Sequence, residues 1–175
     1  SGVEVLQNVT HPNGNVYDQV LLTGDTVTIS ADSGQVTRTS FVDLSDDIVQ
    51  VEFSGAGVVT ISLAGASGPA VPVNYNQGVT YMKGHASISF SGADETSNLS
   101  VFSVGRANAV NQALFKEAVA YDGLADIAVV SITSPANKFG GLRTANASYY
   151  NTSSLTGVYA PNVQFSGPLF LGDLS

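Results

Sequence analysis

Apolar and polar residues alternate with period two through most of the first hundred positions of this chain. Val27 and Ile29 fall on one side of an extended segment, as do Val49, Val51 and Phe53, and Val59, Ile61 and Leu63. Such alternation marks strands with one buried and one wet face. It predicts strands over 17–22, 25–30, 35–44, 48–53, 58–63, 79–82, 86–90 and 99–104, with a lead-in strand over 3–10. Turn formers separate them: His11-Pro-Asn-Gly-Asn15, Thr23-Gly-Asp25, Ala31-Asp-Ser-Gly34, Ser45-Asp-Asp47 and Ser54-Gly-Ala-Gly57. Pro presets one dihedral, while Asn and Gly accept positive φ. The poorly patterned stretch 64–77, with Pro69 and Pro72, reads as a loop crossing between sheets. Short strands at this spacing predict an antiparallel sandwich or jelly roll over residues 1–105.

The rhythm then changes. Ala109, Val110, Ala113, Leu114 and Ala118 are spaced like one face of a short helix, placed over 106–120 as a linker that caps the C-terminal region. From 121 to 175 the chain copies itself. Phe139 to Asn151 superposes on Leu155 to Gly167 at a shift of 16, which sets Gly141 over Gly157, Leu142 over Val158, Asn146 over Asn162 and Tyr149 over Phe165. Repeats of this length with Gly and Asn corners predict β-solenoid-like coils, in which Asn146 and Asn162 read either as two independent turn residues or as a corner asparagine ladder. The nearly unbroken apolar run 127–132 predicts a strand buried on both faces.

Composition narrows the class. Fourteen acidic residues against six Lys and Arg leave a net charge of −8, which disfavours nucleic acid and anionic lipid as partners. No apolar run reaches the roughly 18 residues of a membrane helix, so membrane insertion is not expected. No basic, apolar leader opens the chain, so an export signal is expected to be removed or to lie outside it. The absence of cysteine removes disulfides, thiolate metal sites and a Cys nucleophile. Only 11% of residues are charged, so Gly, Ser, Thr, Asn and Ala are expected to fill the surface, the look of an extracellular or cell-surface β protein.

Candidate chemistry is sparse. His11 and His85 sit apart, each expected in a turn, with no metal-ligand spacing around them. No Gly-x-Ser-x-Gly elbow is present. Asp43, Asp46 and Asp47 crowd one loop, and Asp94 with Glu95 another. Ca²⁺ takes six to eight oxygens from carboxylates and loop carbonyls, so the first cluster is the candidate calcium site and calcium the one candidate cofactor. In the repeat region Asp122, Asp126 and Asp173 are the carboxylates available to a glycosidic mechanism. Tyr150 and Tyr159 are the candidate ligand-binding aromatics, able to stack on a sugar ring or fill an interface.

The expectation is an all-β protein, a sandwich or jelly roll followed by a short helix-capped solenoid-like region. It is similar, at the level of architecture alone, to bacterial surface proteins, adhesins and phage tail proteins. The expected role is an exported, non-enzymatic structural or adhesion module that binds a glycan or associates with itself. The alternative is a polysaccharide-active hydrolase or lyase on a β-helix, which would have to gather two carboxylates in one groove.

Overall fold

A computed structural model describes residues 3–10, 16–22, 24–74, 80–103, 123–144, 153–171 and 173–174. The described chain is all-β, with no helix among the described residues. The strands, in chain order, are β1 (Val3–Thr10), β2 (Val16–Leu22), β3 (Thr26–Ser30), β4 (Thr37–Val42), β5 (Ile48–Ser54) and β6 (Val58–Gly65). There follow β7 (Gly68–Pro69), β8 (Val71–Asn74), β9 (Thr80–Lys83), β10 (His85–Ser91), β11 (Asn98–Ser103) and β12 (Ala125–Thr133). The last six are β13 (Lys138–Phe139), β14 (Gly141–Arg143), β15 (Ser153–Tyr159), β16 (Gln164–Phe165), β17 (Leu169–Phe170) and β18 (Asp173–Leu174).

Most of the alternating segments become strands where the pattern places them, because each has one apolar face to bury. On β6 the odd positions Val59, Ile61 and Leu63 are buried and the residues between them half-buried. The segment 64–77, expected as a loop, instead carries β7 and β8, and β8 pairs with β9. Its prolines hid short strands that sit at the margins of their sheets, where Pro is tolerated. The turn between β5 and β6 needs its glycines. Gly57 has φ +109°, and a Cβ there would lie 2.5 Å from the Ser91 carbonyl oxygen.

Two large mixed sheets result. A nine-stranded sheet runs β1-β2-β4-β5-β11-β14-β17, with β8 and β9 attached through β4. A seven-stranded sheet runs β18-β15-β12-β10-β6-β3, with β7 on β6. Both supply one hydrophobic cluster: Phe41, Val51, Phe53, Leu99 and Leu142 from the first, Ile61, Ile88, Ile127, Ile132 and Leu155 from the second. Chain from either side of residue 105 contributes to both sheets.

Pairing changes character along the chain. Early neighbours such as β4 and β5, β3 and β6, and β6 and β10 are antiparallel. From β12 onward each added strand is parallel to the one it joins: β12, β15 and β18 extend one sheet from β10, β14 and β17 extend the other from β11, and β13 pairs with β16 in a separate two-stranded sheet. Four phenylalanines link these layers edge to face. Phe53 meets Phe90 at 6.4 Å, Phe90 meets Phe139 at 5.3 Å, and Phe139 meets Phe165 at 5.8 Å between ring centroids.

The register corrects the expected repeat. Gly141 and Leu142 lie on β14 in the nine-stranded sheet, whereas Gly157 and Val158 lie on β15 in the seven-stranded one, so the 16-residue copies do not stack. The pairs that do stack are Ile127 with Leu155, Phe139 with Phe165 and Leu142 with Leu169, separated by 28, 26 and 27 residues. Phe165 therefore packs on Phe139; Tyr149 and Asn146 lie outside the described residues, as does the helix expected over 106–120. The recurrent corner asparagines are Asn137 and Asn162, each left-handed at φ 57° and 59°, each just before a short strand. β12 is buried on one face only. Ala125, Ile127, Val130 and Ile132 point inward, while the residues between them are half-buried.

Candidate functional site at a bulged strand

The inward positions of β12 shift phase between Ile127 and Val130, and the pairing with β10 slips at the same place, from Ala86↔Ile127 to Ser87↔Val129. Ala128 is the extra residue of a β-bulge, a feature that re-aims side chains. An open cleft of about 230 Å³ lies here, lined by Leu44, His85, Asp126, Ile127, Ala128 and Thr156. His85 opens β10 and does not sit in a turn as expected.

Beside the cleft stands the turn joining β4 to β5. Its chain reverses through Asp46, at φ 70°, and its aspartates spend their carboxylates on the protein itself. Asp43 and Asp47 are both fully buried. Asp43 Oδ1 accepts the backbone N–H of Ser45 at 3.0 Å and of Asp47 at 2.8 Å, and its Oδ2 accepts the N–H of Asp126 at 3.0 Å. Asp47 Oδ1 accepts the Ser103 hydroxyl at 2.6 Å, and Oδ2 accepts the N–H of Gly123 at 3.1 Å. Ser45 Oγ donates to Asp126 Oδ2 at 2.9 Å. The turn is thus pinned to the start of β12.

Electrostatics follow from burial. Desolvation pushes the Asp43 carboxyl up to about 8, helped by repulsion from Asp126 and Asp47 and opposed by the amides it accepts. Asp46 faces outward from this network and pairs with Lys83. The second acidic cluster is a plain turn. Asp94 Oδ1 accepts the Thr96 hydroxyl at 2.6 Å and the Thr96 N–H at 2.8 Å, and these bonds lower its carboxyl below the usual range.

The candidate residues from sequence therefore part company. Asp43 and Asp47 are acceptors for backbone and Ser103, Asp46 is an ion-pair partner, and among the described residues no three His, Cys, Asp or Glu side chains are grouped to hold a metal ion. Tyr159 ends β15 and is 62% exposed, whereas Tyr150 lies outside the described residues. Of the carboxylates considered for glycosidic chemistry, Asp126 lines the cleft, Asp173 falls on β18 and Asp122 lies outside the described residues. Sequence reasoning missed the pairing of His85 with the cleft, because a residue adjoining a glycine looked like a turn. The apolar segment 168–171, which reads in sequence as the start of another strand, carries β17, with Leu169 and Phe170 47% and 52% exposed.

Comparison with protein-family models, curated proteins and solved structures returns no match. No helix among the described residues is long and apolar enough to cross a membrane.

Proposed function

We propose that this chain is an exported, non-enzymatic structural module of a bacterial surface or phage-like assembly that associates with copies of itself. In this reading the two large sheets form a sandwich, and the parallel strands from β12 onward are solenoid-like coils that prolong it. The observation that carries the reading is β17. It ends the nine-stranded sheet, pairs with β14 on one side, and presents Leu169 and Phe170 to solvent. From Ser166 to Leu171 the strand and its approach carry no charged residue, and Arg143 of the neighbouring β14 holds its guanidinium 5.3 Å from the Phe170 ring centroid. Proteins that stay monomeric usually blunt such edges with charge or with proline inside the strand. Pro168 stands before β17, not within it. An uncharged apolar edge is a template for another strand.

Sedimentation across a concentration series tests this, with Leu169→Lys and Phe170→Glu as variants. Both side chains are exposed, so the substitutions leave the core untouched.

Glycan binding is the second reading, favoured by the 62% exposed ring of Tyr159 at the end of β15. A polysaccharide-active enzyme has less support: among the described residues Asp126 is the one carboxylate lining the cleft, and hydrolysis uses a pair.

A further inference from the structure

The cleft at the β12 bulge holds polar groups that the fold leaves unused. Ser45 engages Oδ2 of Asp126, and among the described residues Oδ1 takes no hydrogen bond. The imidazole of His85 and the hydroxyl of Thr156 likewise have no partner among the described residues. Leu44 and Ala128 add apolar surface to the same cleft, and Ile127, whose side chain points into the core, borders it.

Charge selects the ligand. Among the described residues no Lys or Arg lines the cleft, and Lys83, two residues from His85, is taken by Asp46. Behind Asp126 stand Asp43, which accepts its N–H, and beyond it Asp47. An anion would be repelled by Asp126, whereas an ammonium group would pair with the carboxylate oxygen of Asp126 that Ser45 leaves open. Thr156 and His85 are suited to hydroxyl groups, each able to donate or accept. The volume lies below the roughly 300–1,000 Å³ of drug-sized sites, which limits the occupant to about one ring.

We infer that this cleft binds a small ligand carrying an ammonium group beside hydroxyls, an amino sugar in chemical class. The ammonium sits on Asp126, the hydroxyls on Thr156 and His85, and the apolar face of the ring on Leu44 and Ala128. The site is separate from association through β17, so either can fail without the other.

The test tracks the ring C–H resonances of His85 by NMR as glucosamine is added at slightly acidic pH, with His85→Gln distinguishing them from His11. A saturable shift is expected, lost in Asp126→Asn and weakened in Thr156→Val, whose site is exposed and tolerant. Glucose and N-acetylglucosamine, which lack the charge, should bind at least about tenfold more weakly. No shift at high millimolar glucosamine, equal response to glucose, or full binding by Asp126→Asn would overturn the assignment. Methylammonium binding as tightly as glucosamine would overturn the sugar class.

Discussion

The Asp43 carboxylate accepts a hydrogen bond from the backbone N–H of Asp126, 3.0 Å away in space and 83 residues along the chain. That bond ties the β4–β5 turn, in the antiparallel part of the molecule, to the first strand of the parallel stack entered after residue 123. Ser45 to Asp126 and Asp47 to Gly123 reinforce the junction.

Burial at this junction makes stability depend on pH. Asp43 has its folded pKa raised to about 8 from 3.8, so its contribution is fully present below about pH 4 and is lost as pH rises towards 8. Unfolding free energy is therefore expected to fall over that window, by at most about 1.4 kcal/mol per pH unit from this group. Urea titrations at several pH values should show the decline, and Asp43→Asn should flatten it. A wild-type stability that rises steadily from pH 4 to 8 would contradict the assignment.

Asp47 is the other half of the junction. Asp47→Ala leaves the Ser103 hydroxyl and the Gly123 N–H without their buried acceptor, and is expected to cost about 3 kcal/mol. Asp47→Asn should recover only part, since its amide can accept from one of the two donors and must turn N–H groups toward the other. The difference between the variants is readable in denaturant midpoints.

Phe139 lies between Phe90 and Phe165 and is fully buried. Phe139→Ala is expected to lose about 3–5 kcal/mol, with Phe139→Leu losing less because most of the volume is kept. Thermal unfolding followed by near-ultraviolet circular dichroism would also register the loss of ring packing.

Two glycines give an internal contrast. Gly57→Ala meets both a left-handed backbone and the Ser91 carbonyl, and should cost about 2 kcal/mol. A Cβ at Gly157 finds no atom within 4 Å. Gly157→Ala should be neutral or slightly stabilising.

The sequence showed the antiparallel strands well because their signal is local. Val59, Ile61 and Leu63 declare β6 without reference to any partner. The parallel stack was legible only as a tendency to repeat. Its register rests on the chain length between strands, and Gly-apolar triplets match one another at several shifts, so Gly141 aligned with Gly157 although they belong to different sheets. The junction was visible as an acidic cluster, but Asp43, Asp46 and Asp47 look alike in sequence. Their separate fates depend on Gly123 and Asp126, about 80 residues later, and on Lys83. Leu169 and Phe170 read as the start of another strand; only the sheet order showed that, among the described residues, this strand ends its sheet with both side chains about half exposed.

The measurement that bears most directly on the proposed role is sedimentation velocity of the wild-type chain and of the Leu169→Lys, Phe170→Glu double variant over a broad concentration range. The account predicts that the wild type shifts to larger species as concentration rises, while the double variant, with an unchanged far-ultraviolet spectrum, stays monomeric. A wild type that remains monomeric throughout, or a double variant that associates equally well, would contradict it.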